Sequence, residues 1–154
     1  MAATLIHATC IASAERAVLI RGPSGAGKSD LALRCLAMTP SVICPFDVML
    51  VADDQVLVEA DNGQLFASCP LPIVGQIEVR GVGIVSLEAA SKTRVVLVAD
   101  LLGLGGRPER LPDQTCSTEI NGCHLEAIVL NPFEASAPVK LLMALSRAKA
   151  PTRS

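Results

Sequence analysis

Apolar residues in this chain come mostly in short bursts separated by turn residues, a rhythm of strands more than of helices. Leu5-Ile6-His7-Ala8-Thr9-Cys10-Ile11 reads as a first short strand. Ala14-Glu15-Arg16 is a turn, and Ala17-Val18-Leu19-Ile20 is the strand that follows it. Val48-Met49-Leu50-Val51-Ala52 is an apolar run of strand length that ends at Asp53-Asp54. Gln55–Glu59 and Gln64–Ala67 flank Asp61-Asn62-Gly63, a hairpin signal because Asn-Gly accepts two consecutive positive φ angles. Gln76-Ile77-Glu78-Val79-Arg80-Gly81-Val82-Gly83-Ile84 alternates before its two glycines. Arg94–Ala99 is a further strand, and Asp100–Pro112 reads as a glycine-rich loop carrying Arg107, Glu109 and Arg110. Thr118–Glu126 is a hairpin around Asn121-Gly122 that continues into Ala127–Leu130.

Helical periodicity is confined to two places. Asp30–Met38 is helix-prone and is stopped by Thr39-Pro40-Ser41. Val139–Lys149 is amphipathic, with Pro138 suited to its first turn. A parallel sheet needs a crossover helix for most of its strands, and two helices are too few. The expected fold is therefore α/β with a mixed, strand-rich sheet. The chain of 154 residues has no internal repeat and no linker, so residues 1–150 read as one domain and 151–154 as a frayed tail.

Between the second strand and the first helix lies Gly22-Pro23-Ser24-Gly25-Ala26-Gly27-Lys28-Ser29, which fits the Walker A pattern G-x-x-x-x-G-K-[ST] in the strand–loop–helix context it requires. Glycines let backbone N–H groups turn inward around phosphate oxygens, and the helix N-terminus adds to the attraction. The pattern predicts a P-loop for ATP, with Lys28 on the β- and γ-phosphates and Ser29 on Mg²⁺. The alternative is a glycine-rich turn with a chance Lys-Ser; the flanking strand and helix favour the phosphate loop.

Other residues leave two readings open. His7 lies fifteen residues before Gly22. It is either a structural strand histidine or, if the first two strands form a hairpin, a neighbour of the phosphate loop. Asp53-Asp54 resembles a Walker B arrangement. Adjacent carboxylates of an extended chain point to opposite faces, so one is free to address a metal while the other addresses a substrate or caps a turn. Glu78 and Arg80 share a face, as a surface ion pair or as groups presented to a Mg-nucleotide.

Net charge is −2 with no basic block, and the chain has no Trp, no Tyr and only Phe46, Phe66 and Phe133. Without stacking platforms or a basic surface, nucleic-acid binding is not expected, and a nucleotide base would be held by aliphatic and backbone contacts. No apolar run approaches the roughly 20 residues of a membrane span. The N-terminus lacks a basic region followed by an apolar core, so a cytoplasmic location is expected. In that reducing compartment the six cysteines read as buried thiols, and Cys116, Cys123 and His124 are a weak zinc signal.

Taken together, His7, the loop Gly22–Ser29, Leu50-Val51-Ala52-Asp53-Asp54 and Ile77–Ile84 resemble, in order and spacing, the catalytic domain of HPr kinase/phosphorylase. That is the bacterial serine kinase of the sugar phosphotransferase system. The resemblance covers most of the chain, from His7 to the final helix. It implies a mixed-sheet P-loop fold similar to the core of phosphoenolpyruvate carboxykinase. It implies ATP and Mg²⁺ as cofactors, an HPr-like phosphocarrier as substrate, and a homo-oligomer of hexameric type. Position by position, it makes Lys28 a phosphate ligand, Ser29 and Glu78 metal ligands, Asp54 the proton acceptor and His7 its assistant. Arg110 becomes the arginine on the transferring phosphoryl group, with Arg107 as competitor. The chain is similar to the short alphaproteobacterial form without the extra N-terminal domain. Leu130–Ser136 departs from the family's Pro-, Arg- and Gly-rich dephosphorylation segment, so kinase activity is implied and phosphorylase activity is doubtful. The alternatives are a small-molecule P-loop kinase and a non-catalytic ATP-sensing module.

Overall fold

The computed structural model of the protein describes residues 3–103 and 116–149. These residues form eleven strands, two α-helices and one short 3₁₀ turn. The strands are β1 (Thr4–His7), β2 (Thr9–Ser13), β3 (Arg16–Arg21), β4 (Val48–Ala52), β5 (Gln55–Asp61) and β6 (Gln64–Ser68). They continue with β7 (Gln76–Val79), β8 (Gly83–Ser86), β9 (Thr93–Leu101), β10 (Cys116–Ile120) and β11 (Cys123–Leu130). Helix α1 spans Lys28–Leu36 and α2 spans Ala137–Arg147, with Pro138 in its first turn.

Nine strands make one mixed sheet ordered β1-β5-β6-β9-β3-β2-β4, with β11 also on β9 and β10 on β11. Strands β3 and β9 are parallel, as are β9 and β11; every other pair in this sheet is antiparallel. The expected mixed, strand-rich architecture is what forms. Strand β9 is the centre, sharing one edge with β3 and the other with β6 and then β11. It is buried along nearly all its length, which is why it reads as a continuous apolar run instead of an alternating one.

Alternation divides the core into two layers. Ile11, Val18, Ile20, Leu50 and Leu97 face the helices, against Leu31 and Cys35 of α1 and Leu141, Leu142 and Leu145 of α2. Cys10, Leu19, Val51 and Val98 face the other way, toward Val56 and Val58 of β5 and Leu65 of β6. The register of β3 against β9 shifts between Ala17 and Val18, so that Val96 is skipped and both Val96 and Leu97 join the helix-side layer. Each fully buried Leu or Ile contributes roughly 1.5–3 kcal/mol.

Three local expectations are corrected. The first apolar run is two strands, broken at Ala8, because β1 pairs with β5 while β2 pairs with β3 and β4. Asp100 and Leu101 belong to β9 and not to the loop that follows, since Asp100 pairs in register with Arg21 and with Val129. The cysteines are not uniformly buried: Cys10, Cys35, Cys44 and Cys123 are, but Cys69 is half-buried and Cys116 exposed. Burial pushes the Cys35 thiol up to about 12 and raises that of Cys10 further, which keeps both neutral. No helix among the described residues is long and apolar enough to cross a membrane. The tail at 151–154, and Arg107 and Arg110, lie outside the described residues.

Candidate functional site

The carboxyl end of β3 runs directly into the loop Gly22–Ser29, and α1 begins at Lys28. Gly27 is the residue before the helix and takes φ 94°, and Gly25 takes φ 80°, conformations that a side chain makes unfavourable. Ala26 N–H donates to the Pro23 carbonyl at 3.0 Å, closing the loop on itself. Gly22 is needed for space, because a Cβ there would lie 3.0 Å from the Ala26 side chain. The Lys28 side chain is buried and its Nζ donates to the carbonyls of Gly22 (2.8 Å) and Pro23 (3.0 Å). The ammonium is thereby held under the loop with one proton free for a ligand.

The two aspartates after β4 part company, but through a turn and not through strand alternation. Gln55 N–H donates to the Asp53 carbonyl at 2.8 Å, and Asp54 between them takes φ 68°. A bond between residues two apart around a positive φ is the pattern of a strained γ-turn. Asp53 goes inward and is buried. Its Oδ1 accepts from the Ser29 hydroxyl at 2.6 Å and the Thr9 hydroxyl at 3.0 Å, and its Oδ2 accepts from Glu78 N–H at 3.2 Å. Asp54 goes outward, where its Oδ1 lies 3.3 Å from Nδ1 of His7. Both members of that pair are well exposed to solvent.

Glu78 and Arg80 come from a two-stranded hairpin, β7 on β8, that stands apart from the main sheet. The alternation of Gln76–Ile84 stops before the glycines, as expected: β7 ends at Val79 and the chain turns at Arg80-Gly81-Val82, with Gly81 at φ 85°. Among the described residues no ion pair joins Glu78 to Arg80. Both side chains instead line a cavity of about 460 Å³ together with His7, Lys28, Ser29 and Asp54. Of the residues singled out in the sequence, the structure brings together His7, the glycine-rich loop with Lys28 and Ser29, Asp54 and Glu78.

Two groups in this site escaped the sequence reading. In the sequence Asp53 is only half of an acidic pair, and nothing in the letters tells which half turns inward. Pro132 and Phe133 also line the cavity, and a Cβ on Gly27 would lie 3.6 Å from Pro132 and 3.7 Å from the Phe133 ring. They arrive from the far end of the chain, so no local pattern announces them. The Cys116–Cys123–His124 cluster does not converge: Cys123 sits at the turn of the β10–β11 hairpin opposite Ile120, whereas Cys116 is at the other end, opposite Ala127.

A mixed α/β sheet in which β3, beside the central β9, feeds a glycine-rich loop, with acidic groups and a histidine around one cavity, defines the class to which this protein is assigned. The chain belongs to the HPr Serine kinase C-terminal domain family, whose family model matches residues 1–131. It is similar to a solved structure, that of the Hpr(Ser) kinase/phosphatase from Coxiella burnetii, with a TM-score of 0.75 and 25% identity over 94% of both chains. Among curated relatives, it is 29% identical over 137 residues to the HPr kinase/phosphorylase of Bordetella pertussis, covering 82% of this chain and 42% of that one. It is 38% identical over 87 residues to the HPr kinase/phosphorylase of Clostridium kluyveri, covering 56% and 26%. The chain spans about a quarter of the length of the first relatives it matches, 25% for those of Clostridium botulinum.

Proposed function

We propose that this chain is an ATP- and Mg²⁺-dependent protein serine kinase acting on an HPr-like phosphocarrier. The observation that carries this reading is the single cavity onto which the loop with Lys28 and Ser29, the His7–Asp54 pair and Glu78 all open. Family membership and the named relatives support the same reading. The resemblance to the phosphoenolpyruvate carboxykinase core, with Gly22–Ser29 as a P-loop, is part of the proposal.

The loop amides and Lys28 would hold the β- and γ-phosphates, which are then fixed and partly neutralised before transfer. The donors available to a cation are a hydroxyl (Ser29) and carboxylates (Glu78, with Asp53 behind Ser29), all hard oxygens that fit Mg²⁺. Among the described residues no three His, Cys, Asp or Glu side chains form a metal cluster. Mg²⁺ does not need one, because it is ordinarily held by one or two carboxylates plus substrate phosphates. When bound, the ion draws negative charge from the transferring phosphoryl oxygens.

Asp54, solvent-exposed and lining the cavity, takes the proton of the incoming serine hydroxyl. As the serine Oγ–Pγ bond forms, the bond from Pγ to the β-phosphate bridging oxygen breaks and ADP leaves. His7 beside Asp54 orients the carboxylate, leaving its second oxygen for the serine. Arg110, with Arg107 as competitor, supplies a cation to the same phosphoryl group. The kinase direction dominates over the reverse reaction with inorganic phosphate.

The test is incubation with labelled ATP, Mg²⁺ and purified HPr. Label is expected on a serine of HPr, and later addition of phosphate is expected to remove little of it. Asp54→Ala is expected to lower transfer by about 10²- to 10⁴-fold, the range of a general base, while ATP binding measured by calorimetry persists. Label on a metabolite, binding without turnover, or full transfer by the variant overturns the reading.

A further inference from the structure

The catalytic reading leaves part of the cavity unexplained: the wall made by Pro132 and Phe133. We propose that Phe133 is the platform on which the base of the bound nucleotide stacks. This rests on the nucleotide reading above and adds a subsite to it.

Position is the first argument. Residues 131–136 follow β11, which is parallel to β9, itself parallel to the β3 strand that delivers the glycine-rich loop. Both loops therefore leave the sheet at the carboxyl ends of parallel strands, where open α/β sheets bind ligands. The Phe133 ring lies beside Gly27, just before Lys28, where an added Cβ would be 3.7 Å from it. Leu33 of α1 lines the same cavity and offers a second apolar surface.

The second argument is the contrast between the ring and its backbone. Phe133 is 54% exposed, a large apolar side chain left facing the cavity. Its backbone is pinned. Phe133 N–H donates to Asn131 Oδ1 at 3.0 Å, and the guanidinium of Arg34 on α1 donates to the carbonyls of Pro132 and Glu134. Glu134 is in turn paired with Lys140 of α2. An exposed ring on a fixed backbone is a preorganised surface, which binds with little ordering loss. The charge of Arg34 is matched by Asp30, one turn away on α1, whose Oδ2 accepts from its Nε at 3.1 Å. The sequence expectation of a base held only by aliphatic and backbone contacts is revised accordingly: one ring, with Leu33 near it, replaces an aromatic sandwich. Because every base has a π-face, such a platform accepts adenine and guanine alike.

The experiment separates base from phosphates. Binding of ATP, GTP and inorganic tripolyphosphate, each with Mg²⁺, is measured by calorimetry for the wild-type chain, Phe133→Ala and Phe133→Trp. Phe133→Ala is expected to weaken ATP and GTP about tenfold, as stacking on an aromatic ring predicts, and to leave tripolyphosphate within about twofold. In Phe133→Trp the new residue is the one Trp of the chain. Its emission is expected to change with ATP or GTP and to stay constant with tripolyphosphate. Equal weakening of all three ligands, or of none, overturns the platform while leaving the phosphate loop intact. A wild-type chain that binds none of the three overturns the nucleotide reading and the platform with it.

Discussion

The site is built from two regions of very different construction. Its side formed by the glycine-rich loop grows out of the main sheet, where β2 is wholly buried and β3 and β9 nearly so. Its Glu78 side is a two-stranded hairpin of four residues a strand, with Val82 74% and Ile84 72% exposed. A hairpin that small is marginal by itself in water. It is fastened by buried Ile77, by Leu87 N–H donating to the Gly75 carbonyl at 2.7 Å, and by the Asp53 carboxylate that accepts Glu78 N–H. The contrast teaches that a thin half is held on a rigid half by apolar packing through Ile77 and by the Asp53 carboxylate, which accepts from Glu78 N–H and from Ser29 at once.

Breaking that link should have the largest effect. Asp53→Ala removes the acceptor on which the Glu78 N–H and the Ser29 and Thr9 hydroxyls meet. Each buried donor left without an acceptor costs about 1–3 kcal/mol, so urea unfolding is expected to show a loss of about 3 kcal/mol or more, with phosphoryl transfer strongly reduced. Gly75→Ala attacks the hairpin alone, since its Cβ would fall 2.5 Å from the Leu87 carbonyl oxygen at φ +75°. The expected loss is about 2 kcal/mol, from the roughly 1–2 kcal/mol penalty of a left-handed backbone and the displacement of the Leu87 carbonyl. Hydrogen exchange should rise in residues 76–86 and stay slow in β9. Glu78→Gln leaves both regions standing, so stability should move by less than about 0.5 kcal/mol. The half-saturating Mg²⁺ concentration for transfer should nonetheless rise severalfold. Equal thermal loss in all three variants would erase the distinction between the regions.

Much of this was legible from the letters. The run Val48–Ala52 is strand β4 with the same bounds, both Asn-Gly turns close hairpins, and the glycine-rich loop joins a strand to a helix. Those features are local: a period, a positive φ, a cap. What was illegible depends on distant partners. The break at Ala8 exists because β5 and β3 claim different halves of one apolar run. Asp100 is in a strand because Arg21 pairs with it, at 2.8 and 3.0 Å to its two carboxylate oxygens. The choice of Asp53 as the inward carboxylate is made by a γ-turn centred on Asp54; Asp tolerates a positive φ, but both candidates are Asp, so residue type does not tell which of them takes it. Phe133 meets Gly27 across a hundred residues of chain.

The parallel pairing of β3 with β9 carries a consequence for how the molecule comes to exist. The two strands are separated by residues 22–92, so the middle of the sheet stays open until that whole stretch has been synthesised and brought around. Closing so long a loop precedes any reward from the contacts it makes, which slows folding. The nascent chain therefore holds an open β3 edge beside the glycine-rich loop until β9 arrives, and β11 gains its place in the sheet only after that.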